Sequence, residues 1–142
     1  MGNGLHALMT HSDQLKHLVA QSELIASAVE ELLRFESPLK LNNRIASVDM
    51  KIAGHFMPAG TFITLGVGAA NRDPAQFARL EQLDIARKPN RHLAFGHGDH
   101  ACAGMNVARL GARIGIGRLG KYPLAKPGAL SCKPLKAAWR GR

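Results

Sequence analysis

The chain has 142 residues, 46% hydrophobic and 20% charged, with 19 Lys and Arg against 10 Asp and Glu for a net charge of +9. That composition excludes a disordered chain, and two cysteines, Cys102 and Cys132, are too few for a disulfide framework. The basic residues are spread out, with only a mild concentration after Arg109 and no interleaved aromatics, so they exclude a nucleic-acid-binding face.

From the start of the chain, Leu5, Leu8 and Met9 form a short apolar face that ends near Thr10. A second short helix is predicted from Ser12 through Leu15, Leu18 and Val19. The strongest periodicity runs from Ser22 to Phe35, where Leu24, Ile25, Ala28, Val29, Leu32 and Leu33 share one stripe. Pro38 stops that helix and pushes Ser37 towards extended geometry. A β section follows, with strands predicted over 44–48, 51–53 and 61–67, the last rich in Thr, Ile and Val. Met57-Pro58-Ala59-Gly60 reads as a type I turn, with proline second and glycine fourth. Asn71-Arg72-Asp73-Pro74 ends the section, and a loop-rich stretch continues to Asn90. Residues 105–119 are predicted helical although Gly111, Gly115 and Gly117 each cost about 1 kcal/mol relative to alanine. The tail beyond Tyr122 shows no period. No signal peptide is recognisable and no apolar run is long enough to span a bilayer, so a cytoplasmic protein without membrane contact is expected.

The chemistry concentrates in Phe95-Gly96-His97-Gly98-Asp99-His100-Ala101-Cys102-Ala103-Gly104. Glycines allow backbone to pass close to another surface. A helix starting behind the cysteine aims backbone N–H groups at the sulfur, which suits an anionic ligand atom. Two other readings compete. Most free cysteines are small buried hydrophobes. A zinc site is suggested by His92, His97, His100 and Cys102 lying close in sequence, but zinc sites usually pair their ligands as Cys-x₂₋₄-Cys or His-x₃₋₅-His.

This segment resembles the haem-binding loop of the cytochromes P-450, the haem-thiolate monooxygenases. Two further motifs occur in the family's order: Glu31-Leu32-Leu33-Arg34 on the strongest helix, and Asn71-Arg72-Asp73-Pro74 with Phe77 before the loop. The resemblance runs from Gly2 to about Leu119 and implies a mixed, mainly α fold with a small antiparallel β section, a C-terminal fragment of the cytochrome P-450 fold. It divides one partial domain, 1–142, into helices (1–38), a β section (39–70), a meander (71–94), the ligand loop (95–104), a helix (105–120) and an irregular tail (121–142).

By the same resemblance, Cys102 is the axial ligand of the iron of haem b, and Phe95 shields its sulfur. Gly96, Gly98 and Gly104 shape the loop. His100 and Arg44 would bind the haem propionates, a role that suits the two-pronged guanidinium of arginine. Glu31, Arg34 and Arg87 would form a buried supporting network, with no catalytic part. An electron donor, a ferredoxin or a flavoprotein, is implied as partner. The family's acid–alcohol pair lies just ahead of the segment that Gly2-Asn3-Gly4-Leu5 resembles, so a truncated or non-functional monooxygenase is expected. The alternative is a non-catalytic haem-binding or partner-binding subdomain that needs another chain for its distal half.

Overall fold

A computed structural model describes residues 2–118; the predicted tail and Cys132 lie outside the described residues. The chain is helical with small antiparallel sheets. Helices α1 (Gly2–Thr10), α2 (Ser12–Ala20) and α3 (Ile25–Phe35) open it. Strands β1 (Asn42–Ile45), β2 (Met50–Ile52), β3 (His55–Met57) and β4 (Phe62–Leu65) follow, then a short α4 (Val67–Ala70) and, after the meander, α5 (Met105–Gly117).

The predicted stripe on α3 forms the centre of the core. Ala28, Val29 and Leu32 are buried with Leu8 of α1, Leu18 of α2, Ile116 of α5, and Leu83 and Ile85 of the meander. Residues 22–24 form a single 3₁₀ turn, so α3 begins at Ile25 rather than Ser22. Its end carries a side-chain bond, Ser37 Oγ donating to the Leu33 carbonyl at 2.9 Å. Helix α1 lies close to α3: a Cβ on Gly4 would sit 3.2 Å from Leu32 Cβ. Helix α5 persists despite three glycines because Ile116 is buried and Ala112 packs on the core. Burial here outweighs local propensity.

The β section departs from the predicted strands. It forms two separate two-stranded sheets, β1 with β4 and β2 with β3, both antiparallel. The third predicted strand is shorter, since Val67 already belongs to α4. Strand β3 was not predicted, and Ala53 is no strand residue. Ala53 and Gly54 both take positive φ, 49° and 83°, the two-residue type I′ turn that joins β2 to β3. The proline turn is shifted by one residue. Thr61 N–H donates to Pro58 O at 3.1 Å, and Gly60, at φ 86°, occupies the third place, as a type II turn demands. No helix among the described residues is long and apolar enough to cross a membrane.

Candidate functional site

The Cys102 loop is closed by backbone. Cys102 N–H donates to Phe95 O at 2.8 Å, Gly96 N–H to Leu93 O at 2.9 Å, and Ala101 N–H to Gly98 O at 3.0 Å. Gly96 and Gly98 both sit at φ 75°, a left-handed conformation that side chains other than glycine resist. An added Cβ on Gly98 would meet nothing within 4 Å, so there the backbone angle is the constraint. Cys102 itself is a free thiol on an exposed stretch, which excludes the reading of a buried hydrophobe. Gly104 caps α5, and Met105 N–H donates to Cys102 O at 3.1 Å, so the start of the helix follows the thiol directly.

Beside the loop lies a hollow of about 390 Å³ lined by Arg44 on β1, Leu65 on β4, Val67 and Ala70 of α4, and Leu93, Gly96 and His100. Three basic residues, Arg44, His97 and His100, thus edge a largely apolar floor. Arg44 donates to Asn42 Oδ1 and to Asn43 O, both at 2.8 Å, which holds its exposed guanidinium along β1.

Behind the loop, Glu31, Arg34 and Arg87 meet. Arg34 forks onto the Glu31 carboxylate at 2.8 and 2.9 Å, and Arg87 Nε reaches both its oxygens at 3.1 Å. Arg34 also donates to the carbonyls of Asn71, Leu80 and Gln82, and Arg87 to those of Ala78, Arg79 and Gln82. Two side chains therefore satisfy five carbonyls, that of Gln82 twice, of a meander that has no regular structure of its own.

Sequence reasoning missed two groups. Asn71 is fully buried; its Nδ2 donates to Ser37 Oγ and its Oδ1 accepts Leu93 N–H at 2.7 Å. It ties the end of α3 to the approach of the loop. The Asn-Arg-Asp-Pro motif marked its position but not its burial. The second group is Glu30 with His92 and Arg109. Both His92 nitrogens are engaged, Nε2 with Glu30 at 3.0 Å and Nδ1 with Ala94 N–H at 3.2 Å. That removes His92 from any zinc set, and no three His, Cys, Asp or Glu side chains gather for a metal ion among the described residues.

Comparison with known proteins follows the same lines. The family model of cytochrome P450 matches residues 10–119. The chain is 45% identical over 119 residues to the biotin biosynthesis cytochrome P450 of Bacillus subtilis (strain 168), covering 84% of this chain and 30% of that protein. It is 46% identical over 120 residues to the vitamin D(3) 25-hydroxylase of Pseudonocardia autotrophica, again 84% against 30%. Among solved structures, P450BioI in complex with acyl carrier protein ligated to hexadec-9Z-enoic acid superposes with a TM-score of 0.82 at 45% identity, over 85% of this chain and 32% of that one. The chain thus spans about 30% of the length of the curated relatives it matches.

Proposed function

The chain belongs to the cytochrome P450 family, and we propose that it supplies the proximal, thiolate-bearing part of a cytoplasmic haem monooxygenase. The family is one of haem-thiolate proteins whose cofactor is haem b. The observation that carries the reading is the exposed Cys102 thiol on a backbone-closed loop, next to a hollow whose largely apolar floor is edged by Arg44, His97 and His100. Those residues fit haem, a flat apolar plate with two carboxylates at one edge.

In this reading Cys102 Sγ would bind the haem iron. Arg44 and His100 hold the propionates by charge-assisted hydrogen bonds. Phe95, half-buried beside the loop, keeps water from the sulfur and so preserves its electron donation. Gly96, Gly98 and Gly104 leave room for the plate to approach the backbone. Glu31, Arg34 and Arg87 keep the meander and the loop at fixed spacing. When bound, haem supplies the activation of O₂, one atom of which enters the substrate while the other leaves as water, with electrons from a ferredoxin or flavoprotein.

A second reading, a subdomain inactive until another stretch of polypeptide covers it, is favoured by one feature. Val107, Leu110 and Ile114 form a stripe on α5 that is 75%, 59% and 53% exposed. Such a face on a helix is ordinarily covered.

The test is to supply the purified chain with haemin, reduce it and add CO. A red-shifted Soret band, lost on Cys102→Ala, supports thiolate ligation. A chain that stays colourless while Cys102 alkylates freely overturns it. Turnover with a ferredoxin and its reductase separates the first reading from the second.

A further inference from the structure

Two side chains outside the Cys102 loop, Arg109 and His92, lie against the Phe95 ring within it, and both are bonded to Glu30. Glu30 of α3 accepts Arg109 Nε on Oε1 at 2.8 Å and Arg109 Nη2 on Oε2 at 2.9 Å. It also accepts His92 Nε2 on Oε2 at 3.0 Å. Because His92 Nδ1 accepts the Ala94 N–H, Nε2 is the nitrogen that carries the proton. The Arg109 guanidinium carbon lies 4.8 Å from the centroid of the Phe95 ring, and the His92 ring stands tilted to it at 6.3 Å. Phe95 O in turn receives the Cys102 N–H.

Neighbouring carboxylates on α3 therefore have separate partners. Successive residues of a helix point about 100° apart; Glu31 is bonded to Arg34 of α3 and Arg87 of the meander, Glu30 to α5 and the approach to the loop. An isolated, half-exposed ion pair contributes little. This one differs in that a two-pronged pair fixes the plane of a guanidinium, and that guanidinium lies over a ring. Arg109 and His92 could each rotate away from Phe95; sharing one carboxylate prevents both.

We propose that Glu30 is a positioning residue for the Cys102 loop: through Arg109 and His92 it sets the orientation of the Phe95 ring, and with it the apolar screen beside the sulfur. The statement about the ring stands on geometry alone, whereas the statement about the sulfur rests on Cys102 being the haem ligand.

Two variants of the full chain test it. Glu30→Gln removes the charge and the symmetrical fork; Arg109→Lys keeps the charge but loses the flat face, and it carries the test if the first does not fold. Without haem, aromatic NMR follows the Phe95 ring. In both variants its resonances are expected to shift and its nuclear Overhauser contacts to the residue 109 side chain to vanish. Contacts between Ile25 and Gly117, which report the packing of α3 on α5, are expected to persist. With haemin, dithionite and CO, the variants are expected to lose part of the red-shifted band to an unshifted one. Unmoved Phe95 resonances overturn the inference, as does movement only in company with lost Ile25–Gly117 contacts, which is general loosening. A parent chain with no red-shifted band sinks the ligand assignment instead, and the NMR result still decides the role of Glu30.

Discussion

Glu31 and Arg87 lie 56 residues apart in the chain, yet Arg87 Nε stands 3.1 Å from each oxygen of the Glu31 carboxylate. The Glu31 side chain is fully buried and that of Arg87 nearly so. With Arg34 on the same carboxylate, and Asn90 Nδ2 and Asp84 N–H each at 3.0 Å, one acceptor pair holds five donor groups. This arrangement joins α3 to the meander more firmly than the few apolar contacts of Leu83 and Ile85 would alone.

Removing that carboxylate leaves two arginines buried without a counter-charge. Glu31→Ala is expected to cost about 3–5 kcal/mol, a large share of an ordinary domain's stability. Glu31→Gln, which keeps the shape but not the charge, is expected to fall in the same direction by less. Urea midpoints of the three chains measure the series, and equal midpoints would show that the pair contributes nothing.

Asn71 makes a comparable link without charge. Asn71→Ala strips the Leu93 N–H of its acceptor, at a cost of about 1–3 kcal/mol, while Ser37 Oγ loses a donor but keeps its own bond to the Leu33 carbonyl. Hydrogen exchange at Leu93 is the local reporter: its amide is expected to lose more protection in the variant than amides in the middle of α3, which speed up only with the loss of global stability. Unchanged protection at Leu93 contradicts the assignment.

How far the sequence reveals this structure depends on where each signal resides. The stripe on α3 is legible because burial on one helix face imposes a period, and Ala28, Val29 and Leu32 are the residues it buries. The meeting of Glu31, Arg34 and Arg87 follows from the order of motifs in the family. The β section is less legible. Its strand residues are mostly exposed, so no alternation marks their ends, and the β2–β3 turn places an alanine in left-handed backbone where glycine or asparagine would announce it. Glu30, His92 and Arg109 carry no local pattern at all. Their link spans 79 residues between Glu30 and Arg109, and only the packing of α3 against α5 brings them together.

The same carboxylate gives a pH signature. Burial pushes the Glu30 carboxyl up, but hydrogen bonds from His92 and Arg109, together with the Arg109 charge, overcome this and hold it at about 2 against an ordinary 4.5. A depressed folded-state value stabilises the chain above the unfolded value, and that contribution is lost as pH falls towards the folded one. Glu30 side-chain exposure of 24% leaves some solvent screening, so the contribution is of order 2 kcal/mol rather than the full shift. The stability difference between the parent chain and Glu30→Gln is therefore expected to be constant from pH 7 to about 4.5 and to shrink between there and about 2. Urea melts at half-unit steps measure it, and a difference that grows on acidification reverses the sign and refutes the assignment.

Gly98 separates backbone strain from crowding in the Cys102 loop. Its φ of 75° disfavours any Cβ, yet the space around it is open. Gly98→Ala is thus expected to cost about 1–2 kcal/mol through conformation alone, and Gly98→Asn less, because asparagine tolerates left-handed backbone. Gly4→Ala is the converse case, since Gly4 lies in helix α1 and an added methyl meets Leu32 Cβ at 3.2 Å. There alanine's better helix propensity opposes a clash that displaces α1 from α3, and asparagine would only worsen it. Thermal midpoints of the four variants are expected to rank alanine below asparagine at position 98 and asparagine below alanine at position 4. The same ranking at both positions would mean that one of the two glycines is kept for a different reason.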